Sequence, residues 1–206
     1  RTNVTAQGFL DGAYAALAQV DVLPLKNLAF GVTYTHSYGL DPFGGTGSAG
    51  TFSAANPLNA LVAEQAADAI GFQFTYRPIQ KFNLAGWVGY ANVYGVRGNA
   101  LAGGRREADI VNWAITLASP DLWRKGDLAG LVFGQPPQLI STTNVPIPAG
   151  TGSVTEFNSY HLEGFYRFAL SKNLSITPGV IAVFNPNSNA NNEPLVIGAI
   201  RTTFSF

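Results

Sequence analysis

Cysteine and methionine are both missing from this sequence of 206 residues. Without cysteine, disulfides and thiolate metal sites are excluded outright. Charge is scarce as well, at 12% of residues against roughly 25% in an ordinary soluble domain. The 12 basic and 12 acidic side chains balance, so no positive excess is available for nucleic acid or an anionic membrane surface. No segment approaches the run of about 20 apolar residues that a transmembrane helix needs. The two histidines, His36 and His161, lie far apart and belong to no cluster with ligand spacing, so no metal and no cofactor is expected. The chain opens on Arg1 with neither an initiator Met nor a signal-peptide apolar region, which reads as a processed chain or a piece of a longer one.

What is abundant is glycine, with 23 residues, and aromatics, at 12%, while mean hydropathy is only slightly positive. Hydrophobicity is spread along the chain in alternation rather than gathered into helices. The last stretch, Leu195 to Phe206, shows it: Val196, Gly198, Ile200, Thr202, Phe204 and Phe206 share one face, and Ala199, Arg201, Thr203 and Ser205 share the other. One face suits lipid and the other water. A chain that crosses a membrane without an apolar helix must do so as a closed barrel, the other structure that pairs every backbone group in lipid. An aromatic residue ending such a strand matches the periplasmic aromatic girdle of outer-membrane barrels.

Periodicity predicts nine strands: Phe9 to Val22, Asn27 to Leu40, Asp68 to Arg77, Phe82 to Tyr94, Ala108 to Ser119, Asp127 to Gly134, Phe157 to Leu170, Leu174 to Phe184 and Leu195 to Phe206. Their connectors alternate in length. Short turns at Leu23 to Lys26, Pro78 to Lys81, Pro120 to Gly126 and Ser171 to Asn173 alternate with longer stretches rich in Gly, Pro, Asn and Thr at Asp41 to Ala67, Gly95 to Glu107, Gln135 to Glu156 and Asn185 to Pro194. The expected fold is therefore all-β, a transmembrane antiparallel up-and-down barrel with long connectors on one side and short turns with Phe206 on the other. With Phe206 periplasmic and nine strands, the Phe9 strand begins at the extracellular end, so at least one further strand is expected before Arg1.

Facing follows from alternation in the clearer strands. Gln73, Thr75 and Arg77 oppose Ile70, Phe72, Phe74 and Tyr76; Asn112 and Thr116 oppose Val111, Trp113, Ile115 and Leu117; His161, Glu163 and Arg167 oppose Tyr160, Leu162, Tyr166 and Phe168. Together with Arg201 and Thr203 these are the pore-lining candidates, since charged side chains inside a barrel set ion preference. The strands from Phe82 and Asp127 carry small residues on both faces, which leaves their register weakly specified and their facing open.

Three patterns imitate other chemistry. Gly45-Thr-Gly-Ser-Ala-Gly50 satisfies G-x-G-x-x-G, but no helix follows to hold a pyrophosphate, so a Gly/Ser/Thr loop explains it. Ser159, His161 and Glu163 mimic a catalytic trio, yet same-face neighbours on a strand stand about 7 Å apart, too far for a direct relay. His36 falls with Phe30, Val32, Tyr34 and Tyr38 on the lipid-suited side near the rim, where an interfacial role explains it.

The segments Gly126-Asp-Leu-Ala-Gly-Leu-Val-Phe-Gly-Gln-Pro-Pro-Gln138, His161-Leu-Glu-Gly-Phe-Tyr-Arg-Phe168, Asn173-Leu-Ser-Ile-Thr-Pro-Gly-Val180 and Val196-Ile-Gly-Ala-Ile-Arg-Thr-Thr-Phe204, with Asn83-Leu-Ala-Gly-Trp-Val-Gly89 more loosely, resemble the C-terminal end of cyanobacterial outer-membrane porins of the carbohydrate-selective porin (OprB-like) family. The resemblance implies a sixteen-stranded homotrimeric barrel in outer-membrane lipid, of which residues 1–206 are the C-terminal portion, with about seven strands and a cell-wall-binding domain preceding it. It also implies passive passage of inorganic ions, iron or small sugars, and no catalytic residue. An outer-membrane barrel enzyme of lipase or protease type and a soluble all-β binding domain stay open as alternatives. The first needs a nucleophile, base and acid converging from neighbouring strands, and the second would not depend on detergent.

Overall fold

The computed structural model describes residues 12–39, 51–55, 57–58, 64–97, 104–145 and 158–205. Phe206, the glycine motif at Gly45 to Gly50 and the chain ahead of Gly12 lie outside them. Nine strands follow one another: β1 (Tyr14–Leu25), β2 (Leu28–Tyr38), β3 (Glu64–Ile79), β4 (Phe82–Arg97), β5 (Glu107–Pro120), β6 (Leu128–Thr143), β7 (Tyr160–Ala169), β8 (Leu174–Phe184) and β9 (Leu195–Phe204). They form one antiparallel sheet in which every strand pairs with its sequence neighbours, in the order β1 to β9. Among the described residues, β1 and β9 pair on one side only.

The nine expected strands are all present, and the differences lie at their ends. β6 runs on to Thr143 through Gln135-Pro-Pro-Gln138, which composition had assigned to a connector. Pro136 and Pro137 have no N–H to give a ladder, so β6 keeps its pairing with β5 by a bulge: Trp113 meets Gln135 and Val111 meets Gln138, two proline residues thus opposing the single Asn112. On its other side the β6–β7 ladder stops at Gly134 opposite His161. Prolines also mark the register shifts next to two of the short turns, Pro24 between Val22 and Leu25, and Pro78 between Tyr76 and Ile79. Beyond these shifts, two-residue turns at Lys26-Asn27 and Gln80-Lys81 close the hairpins. Elsewhere the connectors use Asp121, Asn144, Asn185 and Asn187 in the left-handed region, where short polar side chains are tolerated.

The register also settles the two strands whose alternation was ambiguous. Leu84, Gly86, Val88 and Tyr90 of β4 stand opposite Tyr76, Phe74, Phe72 and Ile70 of β3, and Leu131 and Phe133 of β6 stand opposite Leu117 and Ile115 of β5. All lie on one continuous apolar face. Its large side chains are exposed from one edge of the sheet to the other, Val20, Val32, Ile70, Val88, Ile115, Leu131, Val180 and Ile200 among them. The buried cluster sits on the opposite face, toward the end with long connectors. It consists of Ala54, Leu58, Ala67, Val93, Ala108, Ile110, Leu139 and Val145.

Candidate functional site

The face opposite the apolar one carries every sequence-nominated position. Gln73 pairs with Gly31 and Trp87, Thr75 with Ala85, and Thr116 with Ala85 and Val132, so these side chains share one side of β2 to β6. Asn112 pairs with Gly89 on the same side. Farther on, His161 meets Gly134 and Val183, Glu163 meets Val132 and Ile181, Arg167 meets Leu128, Arg201 meets Thr177, and Thr203 meets Ser175. Arg77 follows Thr75 by alternation. The ten positions therefore lie on a single face spanning β3 to β9, although they do not converge on one point. The same face also carries apolar stretches, Ile181, Val183, Leu195 and Ile197 in β8 and β9.

The trio at Ser159 is separated in its bonding. Ser159 is buried and its hydroxyl donates to the Phe184 carbonyl at 3.3 Å, while His161 Nε2 stands 3.5 Å from Glu163 Oε2. With the serine hydroxyl committed to a backbone carbonyl rather than to His161, the three side chains are not arranged as a nucleophile relay. His36 lies on the apolar face near its long-connector end, inside a polar belt: its Nδ1 is 2.8 Å from Asp68, which also accepts from Tyr34 at 2.6 Å and Tyr94 at 3.0 Å. Next to it Asp109 accepts from Tyr90, Asn92 and Ser141. Tyrosines with their rings on apolar surface and their hydroxyls on acceptors are what a membrane–water boundary favours.

A segment of the β2–β3 connector folds onto the polar face. Its helical turn α1 (Phe52–Ala55) is capped by Thr51, whose carbonyl accepts from Ala54 and Ala55. Ala54 and Leu58 are sealed against Ala67, Val93, Ala108 and Ile110, with Leu58 only 1% exposed. The segment crosses to β6, where the Thr51 N–H donates at 3.0 Å to the Pro137 carbonyl beyond the end of the β6–β7 ladder. It is tied again where the Phe52 N–H donates to Asn187 Oδ1 at 3.2 Å, in the β8–β9 connector. Composition gave no hint of this inward strap or of its four-residue helical turn, which follows Gly50 where no helix is expected and is too short to hold a pyrophosphate: a Gly-, Ser- and Thr-rich connector reads as loop wherever it goes.

The short-turn end is held by Asp127. This carboxylate lies just ahead of β6, buried, and accepts from the Ala169 amide at 2.8 Å, the Tyr166 hydroxyl at 2.9 Å and Arg124 at 3.1 Å. The Ala169 amide above all, then Tyr166 and Arg124, holds its carboxyl below the usual value of 3.8, overcoming the opposite push of burial. Gly126, at φ 92°, lets the turn reach Asp121, and Arg167 reaches the Gly126 carbonyl at 3.3 Å. On the apolar side Trp123 is 74% exposed and stacks on Tyr166 at 4.7 Å. An exposed amphipathic aromatic of this kind suits a membrane–water boundary.

Residues 2–206 match the family model of the carbohydrate-selective porin, OprB family. The chain belongs to this family. It is 33% identical over 209 residues to an uncharacterized protein of Nostoc sp., a match covering 97% of the chain and 33% of that protein. It is also 33% identical over 217 residues to an uncharacterized protein of Synechocystis sp., covering 97% of the chain and 37% of that protein. The chain thus spans about a third of the length of the curated relatives it matches. No solved structure matches it. The OprB family is an outer-membrane family, and the nine-stranded up-and-down sheet agrees with a part of such a barrel.

Proposed function

We propose that this chain forms part of the wall of an outer-membrane porin through which small hydrophilic solutes, inorganic ions and small sugars, diffuse passively. The observation that carries this reading is the facing. One register runs through nine strands, leaving an exposed apolar face on one side and Gln73, Thr75, Asn112, Thr116, His161, Glu163, Arg167, Arg201 and Thr203 on the other. A soluble sheet would bury its apolar face, whereas a barrel in lipid turns that face outward and keeps polar groups around water. On this reading the polar face lines the lumen and the strap at Thr51 to Leu58 narrows it. The edges of β1 and β9 that have no partner among the described residues are, on this reading, taken up by further strands of a larger barrel, because an open edge in lipid leaves backbone groups unsatisfied. A homotrimer in outer-membrane lipid is part of the same proposal.

Planar-bilayer recordings of the full-length protein test this. Discrete channels are expected, and Arg201→Glu combined with Arg77→Glu should move ion preference toward cations, since lumen charges set selectivity. The absence of channels, or an unchanged reversal potential in the variant, would overturn the lumen assignment.

A further inference from the structure

All four lysines of the chain sit in the short turns, one to each: Lys26 between β1 and β2, Lys81 between β3 and β4, Lys125 between β5 and β6, and Lys172 between β7 and β8. All are exposed, and none has an ion-pair partner among the described residues. Neighbouring hairpins space these turns about 10 Å apart along one rim, close enough at moderate salt for the charges to act together. The two carboxylates in the same turns are already engaged. Asp121 accepts from the Gly126 amide at 2.6 Å, and Asp127 accepts from Ala169, Tyr166 and Arg124. The long-connector end instead mixes acid and base, as at Arg105 and Glu107, 2.6 Å apart. The positive rim therefore belongs to one end only.

The β5–β6 turn adds shape to that charge. Arg124 gives its Nε–H to Asp127 at 3.1 Å, which fixes the guanidinium 5.7 Å over the Phe168 ring on the apolar face and leaves both Nη groups without a partner among the described residues. Beside it Trp123 stacks on Tyr166 at 4.7 Å, and Tyr166 meets Phe168 at 4.5 Å. Two residues from Tyr166 toward mid-sheet stands Gly164, between Leu131 of β6 and Val180 of β8, both exposed. A Cβ at Gly164 would meet only Leu131, at 3.8 Å, so the glycine leaves an open furrow in the apolar face. A fixed fork of N–H donors with an apolar furrow leading away from it suits a phosphate joined to an acyl chain. A free anion would use the fork and leave the furrow empty. A cell-wall polymer would meet the lysines from outside and have no use for the apolar side.

We infer that the turn at Trp123, Arg124 and Lys125 binds the phosphate of an anionic glycerophospholipid, one acyl chain lying along the Gly164 furrow, and that Lys26, Lys81 and Lys172 continue it as an electropositive rim facing that leaflet. The inference rests on the reading of the sheet as a barrel wall in lipid and adds to it the kind of lipid the wall holds. The test is native mass spectrometry of the full-length protein in detergent, titrated with dioleoyl phosphatidylglycerol or dioleoyl phosphatidylcholine, with heat-modifiable gel mobility confirming that each variant is folded. The parent should bind phosphatidylglycerol about tenfold more tightly. Lys125→Gln, which removes a side chain bonded to nothing among the described residues, should weaken that lipid about fivefold, the worth of one cation at an anionic headgroup, and leave phosphatidylcholine unchanged. Lys172→Gln should do the same to a smaller extent. Arg124→Ala should cost about tenfold, and Arg124→Lys, which restores the charge but not the fork, should recover only part. Gly164→Leu fills the furrow and should weaken both lipids. If channels form in planar bilayers but the parent holds the two lipids equally, or Lys125→Gln binds as the parent does, the lipid site is wrong and the porin stands. Loss of sedimentation with purified peptidoglycan in the lysine variants, with lipid binding retained, would overturn it in favour of the cell wall, and displacement by equimolar inorganic phosphate would reduce it to a bare anion site. If no channels form while phosphatidylglycerol still binds selectively, the porin reading falls and the lipid site stands.

Discussion

The two ends of the sheet are built by opposite means. At the long-connector end, burial comes from residues far apart in sequence: Leu58 and Ala54 seal against Val93, Ala108 and Ile110. At the short-turn end the contacts are polar and meet at one group, with Asp127 gathering the distant Ala169 amide and Tyr166 as well as the nearby Arg124, while Asp121 holds Gly126. One end is closed by apolar packing across the polar face, the other by hydrogen bonds around one carboxylate. Apolar docking is non-directional and tolerates a strap of indifferent sequence, whereas a buried carboxylate works only when every acceptor site is met. The first ties a connector to the sheet. The second holds two hairpins together.

The largest expected effect breaks the apolar end. Leu58→Asp places an unpaired carboxylate in the sealed cluster, a penalty of about 3 kcal/mol or more that the segment can escape by lifting off. Since only the strap must move, the sheet should survive while single-channel conductance rises and proteolysis between residues 51 and 58 accelerates. A docked, protease-resistant strap in this variant would show that apolar packing does not hold that end.

Between the two ends, facing alone should matter, and adjacent residues of β5 supply the control. Ile115→Arg puts a charge on the apolar face at a cost of about 2 to 4 kcal/mol near the bilayer midplane, against little change for Thr116→Arg on the polar face. Urea-unfolding midpoints in lipid vesicles measure the difference. Equal midpoints would mean that the two faces do not divide lipid from water.

The smallest effect sharpens the polar end through pH. Because the Asp127 carboxyl is depressed in the folded chain, its contribution is complete above the unfolded value near 3.8 and is lost as pH falls through the lower folded value. The parent should therefore lose stability on acidification below about pH 4, and Asp127→Asn should be weaker at neutral pH with that part of the acid slope removed. An identical acid slope in the variant would assign the slope to other carboxylates.

Much of this architecture could be read before any coordinates. Strand number, order and facing followed from alternation in stretches such as Val111 to Leu117 and from the sorting of connectors by length. The ten nominated positions share one face because a period of two leaves no other choice once the register holds. Trp87 escaped notice because glycine and alanine flank it on both faces of β4, which makes alternation uninformative, and only pairing with Phe72, Gln73 and Phe74 assigned its side.

What the sequence determined by itself is the strand pattern and the two-faced chemistry, since both arise from side-chain alternation along one strand. Tertiary structure alone decided the extension of β6 past its prolines, the inward strap and the seat of Arg124 over Phe168. Each depends on partners distant in sequence: β5 supports the bulge at Pro136 and Pro137, the Pro137 carbonyl accepts from Thr51 beyond the described end of the β6–β7 ladder, and Arg124 reaches Phe168 because the β5–β6 turn and the end of β7 lie side by side. A local pattern records what a residue prefers, and only long-range pairing determines which neighbour meets it.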